Sequence, residues 1–175
     1  MDANSRRKEI LHRIMKQEKP LSASALAKDL KVSRQVIVGD VAILRAKGHE
    51  IVATARGYVI PSVKPKNGYI RKIACQHTPE QTKDELYLLV DLGVSVEDVI
   101  IEHDVYGELT GSLRLETRAD VDLFIEKVEK SQVKLLSELT IGIHLHTVIC
   151  RDQKHFEEVE QMLKESGYLL DEAIR

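Results

Sequence analysis

Two histidines, two residues apart, open the chemistry of this chain. In Ile141-Gly142-Ile143-His144-Leu145-His146-Thr147 apolar and polar residues alternate with a period of two, the pattern of a half-buried strand. The alternation directs Ile143 and Leu145 to a core and sends His144 and His146 together to the opposite face. Side chains two apart on one strand face stand roughly 6.5–7 Å apart, close enough for two imidazoles to reach one ion. A zinc-like ion asks for at least three protein ligands. From this stretch alone, a pair of solvent-facing histidines on a sheet surface is the better reading.

Further donors exist elsewhere. His77 stands at a strand-to-helix junction and Glu85 follows eight residues later on that helix. That is a little over two turns, about 12 Å along the axis, so both can point to one side. His77, Glu85, His144 and His146 would suit a borderline divalent ion. Spacing alone leaves open that Glu85 is a solvated helix residue and His77 a local cap. Cys150 shares the parity of the two histidines but lies roughly 13 Å beyond His146, too far for a fourth ligand. A different chemistry gathers near Arg34 and Gln35. Arg grips guanine and Gln pairs with adenine in the major groove.

These groups must be positioned by ordinary soluble-protein architecture. Hydrophobic residues make up 43% and charged residues 31% of 175 positions, while aromatics are 4% with no Trp, so the core must be mostly Leu, Ile and Val. Two cysteines, Cys75 and Cys150, are too few for a disulfide scaffold. Nothing resembles a signal peptide, and no apolar run approaches the roughly 20 residues that span a bilayer. The expectation is a cytoplasmic protein with no membrane partner. Residues 1–68 carry 14 Lys or Arg against 6 Asp or Glu, a net +8. The remainder carries 12 against 22, a net −10. A basic front and an acidic rear indicate that only the front meets a polyanion. Two domains, 1–60 and 69–175, are expected, joined by a short proline-containing linker over 61–68.

In the front domain, residues 5–17 form a first helix with Ser5 as N-cap and Ile10, Leu11, Ile14 and Met15 inward. A second helix runs over 24–30 with Leu26, Ala27 and Leu30 inward. A tight turn leads to Ser33, the N-cap of a third helix reaching Lys47, where Ile37, Val41 and Leu44 form one buried stripe. Gly48 stops it. Residues 50–54 and 57–60 make a hairpin across Ala55-Arg56. Three helices and a hairpin are a winged helix-turn-helix arrangement. Ser33, Arg34, Gln35 and Val38 then face base edges, and Arg56 reaches phosphate or the minor groove.

In the rear domain, strand residues 69–75 lead to a helix capped by Thr78 with Pro79 and Gln81. Leu86, Leu89 and Val90 lie along that helix, which stops at Gly93. Strands are expected at 96–103 and 109–116. A Thr117-capped helix carries Val121, Phe124, Ile125 and Val128, and Leu135, Leu136 and Leu139 extend the apolar surface. The histidine strand follows, then a helix capped by Asp152, and residues 168–170 form a closing edge strand. The order predicts an α+β sandwich with helices on one face of a largely antiparallel sheet.

Leu26-Ala27-Lys28-Asp29-Leu30-Lys31-Val32-Ser33-Arg34-Gln35-Val36-Ile37-Val38-Gly39-Asp40-Val41 resembles the DNA-binding domain of biotin-ligase-type repressors. Such domains often carry Arg where this chain has Gly39, so one phosphate contact is missing here. His77 with Glu85-Leu86, the run His103-Asp104-Val105-Tyr106-Gly107, and Leu139 to Thr147 resemble the 3H domain over roughly residues 70–170. The whole chain is similar to niacin-responsive bacterial transcriptional repressors. That resemblance implies an HPr-like sandwich and a divalent transition metal, zinc-, nickel- or iron-like, held by His77, Glu85, His144 and His146. It also implies nicotinic acid as co-repressor, with His103 and Tyr106 supporting the effector pocket. Asp104 replaces the family's usual Pro and loosens the turn after His103. The partners expected are double-stranded operator DNA, nicotinic acid and a second copy of the chain. Two other readings are a repressor sensing the metal itself and a small metal-dependent hydrolase fused to a DNA-binding domain. Against the hydrolase, four protein ligands leave little room for an activated water and no second carboxylate stands ready as base. A biotin-ligase-like enzyme would need a Gly-Arg-rich adenylate loop, which is absent. A regulator rather than an enzyme is expected.

Overall fold

The structure, a computed structural model, describes residues 2–61 and 67–170. The chain divides into two compact units, Met1–Pro65 and Lys66–Arg175. Residues 62–66 of the expected linker lie outside the described residues.

The first unit contains α1 (Ala3–Lys16), α2 (Ala23–Leu30), α3 (Arg34–Ala46) and a hairpin of β1 (Val52–Thr54) and β2 (Gly57–Val59). The cap of α1 is Asp2 rather than Ser5. Its carboxylate accepts from the amides of Asn4 and Ser5 at 2.9 and 3.1 Å and from the Ser5 hydroxyl at 2.6 Å. An ionised cap complements the helix dipole as well as the free amides, and it absorbs the residue expected to do the work. Ser22 caps α2 and Ser33 caps α3. Lys31, in the left-handed region at φ 54°, makes the sharp turn between them. Ile10, Ile14, Leu26, Ile37, Val41, Leu44 and Ile51 form the core. Leu11 and Leu30 are only partly buried against it, and Met15 is exposed.

Two features of this unit escape hydropathy. Buried Asp40 receives Arg6 Nε at 2.6 Å and Arg7 at 3.1 Å, pinning α1 to α3. Leu21 pairs with Tyr58 through hydrogen bonds of 2.9 and 3.0 Å, adding a third short strand position to the hairpin. Gly57 makes that pairing possible. Its φ is 141°, and a Cβ there would lie 2.6 Å from the Leu21 carbonyl carbon.

The second unit runs β3 (Tyr69–Gln76), a 3-10 turn (Pro79–Gln81), α4 (Thr82–Asp91), β4 (Ser95–His103), β5 (Gly107–Leu115) and α5 (Arg118–Ser131). It continues with a 3-10 segment (Leu136–Thr140), β6 (Ile143–Cys150) and α6 (Gln153–Glu165). The sheet order is β3-β6-β4-β5 and every pairing is antiparallel. The capping residues act as expected: Gln81 Oε1 accepts from the Thr78 amide, Thr117 and Asp120 cap each other's amides, and Asp152 caps α6. Leu86, Leu89, Val96, Leu115, Val121, Val148, Val159 and Leu163 are buried. Leu139 is exposed and does not extend the core. Residues 168–170 pair with the outer edge of β3 as the single bridge Cys75–Leu169 rather than as a full strand.

The orientation of β6 is the main correction. His144, His146, Val148 and Cys150 form its buried face, whereas Ile143 is exposed and Leu145 only half-buried. Ile141 precedes the strand in a left-handed conformation and projects into solvent. Alternation assigns polar residues to solvent because an unpaired buried polar group costs free energy. That cost falls when polar groups find partners inside, as each histidine Nδ1 does on a backbone carbonyl.

Candidate functional site

Two strands and one helix bring four polar side chains to one buried point. Cys75 on β3 lies directly opposite His144 on β6, and Ile73 opposite His146. His77 follows β3 at the junction, and Glu85 comes from the first turns of α4, which pack it inward with only 1% of its surface exposed. The about 12 Å expected between His77 and Glu85 along a helix axis does not arise, because His77 lies outside the helix and folds back over it. His77 Nε2 is 2.6 Å from Glu85 Oε2. Glu85 Oε1 is 3.1 Å from His146 Nε2 and 3.5 Å from His144 Nε2. The imidazoles stand edge to face, with centroids 4.8 Å apart for His77–His144 and for His144–His146.

The outer nitrogens explain the inner ones. His77 Nδ1 donates to Thr78 O at 2.8 Å, His144 Nδ1 to Gly142 O at 2.8 Å, and His146 Nδ1 to Asp98 O at 2.6 Å. A carbonyl only accepts, so each Nδ1 must carry a proton, and each ring turns its Nε2 toward Glu85. The backbone supplies two of these clamps through irregular geometry. Gly142, at φ 82°, has no room for a Cβ, which would lie 2.2 Å from His77 O. It therefore packs against one histidine while its carbonyl holds another. Between Val96 and Ile100 the β4–β6 register slips by a bulge. Bulges re-aim groups: Asp98 here turns its carbonyl to His146, and its carboxylate accepts the Thr147 amide at 2.8 Å.

Electrostatics follow from this crowding. Burial alone would push His77 and His146 down, but the Glu85 carboxylate outweighs it and both are raised above the ordinary histidine value. Burial works against an ionised Glu85, yet the three imidazoles hold it well below the usual carboxylate range. Burial, with the Glu85 charge behind it, pushes the Cys75 thiol up. Glu85 Oε1 and His146 Nε2 are 3.1 Å apart but misaligned, and neither has a hydrogen-bond partner. Buried polar atoms are rarely left so. Ring nitrogens converging on a carboxylate, each ring fixed from behind by a carbonyl, are a donor arrangement that could hold a divalent ion.

Other expected residues stand apart from this cluster. His103, at the end of β4, accepts the amides of Val105 and Tyr106 on Nδ1 at 3.1 and 3.3 Å, and its ring lies 5.2 Å from the Tyr106 ring. Its nitrogen therefore shapes the β4–β5 turn, whose Val105 and Tyr106 are exposed. Ile100 pairs with Leu145, so the antiparallel register carries His103 to the end of the sheet where Gly142 and His77 lie. In the first unit, Ser33, Arg34 and Gln35 are exposed at the start of α3. Val38 is half-buried and packs on the core, and Arg56 is half-buried at the hairpin turn. Sequence reasoning missed Cys75, Asp98 and Gly142 as parts of the site. Gly142 alone left a signal, a glycine placed directly before the strand.

Comparison with known proteins matches residues 70–172 to the 3H domain and residues 6–59 to an HTH domain. Over 172 residues the chain is 44% identical to the transcription repressor NadR of Bacillus subtilis, covering 97% of this chain and 95% of that protein. Over 167 residues it is 40% identical to the probable transcription repressor NiaR of Thermotoga maritima, covering 95% and 94%.

Proposed function

Since this chain belongs to the 3H-domain transcription repressors with an amino-terminal HTH domain, we propose that it represses genes of NAD synthesis or niacin uptake, with nicotinic acid as co-repressor. The observation that carries the metal-linked part of this reading is the set of three imidazoles, each clamped at Nδ1, around buried Glu85. His77, Glu85, His144 and His146 would hold a zinc-, nickel- or iron-like ion, for which imidazole is a suitable donor. When bound, the ion supplies a fixed positive charge and an electron-pair acceptor for the nicotinate carboxylate or pyridine nitrogen. Glu85 balances that charge, the backbone clamps hold the rings, and the surrounding core excludes water. His103 and Tyr106, at the same end of the sheet, support the effector.

The HTH domain meets double-stranded operator DNA. Arg34 and Gln35 read bases from α3, with Ser33 and Val38 beside them and Arg56 on the hairpin. A homodimer on a two-fold operator doubles the small contact area of one winged helix. Such work belongs in the cytoplasm, and among the described residues no helix is long and apolar enough to cross a membrane. The relatives are regulators, and the reading is of a regulator rather than an enzyme.

A co-repressor must prefer the DNA-competent form of the dimer. A preference of about 1–3 kcal/mol tightens operator binding by roughly 5- to 150-fold, and by reciprocity operator tightens nicotinate equally. Nicotinate is titrated into metal-loaded and chelated protein, with and without operator. The same gain on both sides of the cycle is expected. Equal nicotinate affinity with and without DNA would end the co-repressor reading. Operator binding that follows metal alone would replace it with metal sensing.

A further inference from the structure

We infer that the Cys75 thiolate is a ligand of the same metal ion, so that the donor set is three imidazoles, one carboxylate and one sulfur. The inference rests on the metal reading above and adds a residue to it.

The geometry points there directly. Cys75 is fully buried and lies opposite His144 across the β3–β6 ladder. Its Sγ, a carboxylate oxygen of Glu85 and a ring nitrogen of His144 all lie within 4.8 Å of one another. Among the described residues, no other trio of His, Cys, Asp and Glu donors comes together so closely. Donors bound at about 2.0–2.3 Å to one ion stand at most about 4.6 Å apart. The trio thus needs only small adjustments to share an ion. Cys75 has no competing covalent use. The chain's other cysteine, Cys150, sits opposite Tyr69 at the far end of the same strand pair, and both are free thiols. Six residues of strand, roughly 20 Å, separate Cys150 from His144.

Binding replaces the S–H bond with an S–metal bond, and the proton leaves to solvent. A coordinating thiol is deprotonated outright whatever its pKa in the metal-free core. One sulfur among nitrogens and an oxygen shifts preference toward zinc, cobalt, nickel or iron and away from magnesium and manganese.

Cobalt(II) is the probe, because a cobalt–thiolate bond gives a near-ultraviolet charge-transfer band that nitrogen and oxygen ligands do not. The full chain is loaded with cobalt(II), its metal content measured and its spectrum recorded. The expected result is about one ion per chain with visible ligand-field bands and the charge-transfer band. Cys75→Ser should abolish the charge-transfer band and keep the ligand-field bands, while Cys150→Ser keeps both. Should Cys75→Ser fail to fold, persistence of the band in Cys150→Ser still assigns it, since the chain has two cysteines. Bound cobalt without the charge-transfer band overturns the inference and leaves the four-ligand site standing. So does a band that survives in Cys75→Ser. A chain that takes up no cobalt overturns the metal reading and this inference together.

Discussion

A buried imidazole is defined by what its two nitrogens meet, and that decides how the site answers pH. His77 and His146 are raised above their ordinary value of 6.5. In chelated protein, a raised histidine contributes stability that is fully present below the unfolded value and is lost as pH rises through the folded one. Glu85, held below 4.5, contributes stability present above that value and lost as pH falls through its folded pKa. Chelated protein should therefore lose thermal stability as pH climbs from about 6.5 into the alkaline range. Metal affinity must run the opposite way, weakening as pH falls, because imidazole binds only when neutral. Melting temperatures across pH, with chelator and with zinc, check both signs. A chelated melting temperature that rises through this range would contradict the assignment of charge to the cluster. His144→Ala with His146→Ala should remove the ion, and full metal content in that variant would displace the site. In the other unit, exposed Arg34 is expected to cost about 1–3 kcal/mol of operator binding when changed to Ala, with relaxed preference at one base position. A uniform loss across sequences would mark it as a phosphate contact. The four donors were legible as residue types. Their facing was not, because alternation alone cannot register that polar groups on three segments satisfy each other.

At the scale of elements, local chemistry was readable and pairing was not. Ser33, Thr117 and Asp152 announced their helices through side-chain caps, and Thr78 through the bond of its amide to Gln81. The bulge that aims Asp98 and the register that sets Cys75 beside His144 depend on which strands become neighbours. Strand order β3-β6-β4-β5 joins segments far apart in the chain, and nothing local encodes it. Two glycines show how differently one residue type behaves. Gly39 lies on exposed helix with nothing within 4 Å of an added Cβ. Gly39→Ala should stabilise α3 by about 1 kcal/mol, raising the melting temperature of a unit this size by roughly 4–8 °C. Gly142→Ala should cost at least about 1–3 kcal/mol in backbone strain, plus the clash with His77 O. It should also lower metal affinity, because it displaces the carbonyl that holds the His144 ring and pushes on the backbone of His77. Calorimetry with metal titration separates the two cases. Unchanged metal affinity in Gly142→Ala would show that the clamp does not matter.

At the scale of the whole molecule, charge separates the labour. The net +8 of residues 1–68 against the net −10 of the remainder places the polyanion-binding surface in one unit. Operator affinity should fall steeply with salt through counterion release, and Gly39→Arg should strengthen binding and steepen the slope by about one phosphate contact. An unchanged slope would mean that this helix position faces away from the backbone. The centre in the second unit is sealed as well as polar: Cys75, Glu85, His144 and His146 are each at most 3% exposed. An ion cannot enter or leave such a place without local opening of the fold, so its exchange is no faster than that opening. Residence time then separates two kinds of signal. An ion that trades places slowly with the surroundings cannot report their moment-to-moment changes, and it becomes a fixture assembled once per molecule. A small effector arriving at its edge can come and go within that lifetime.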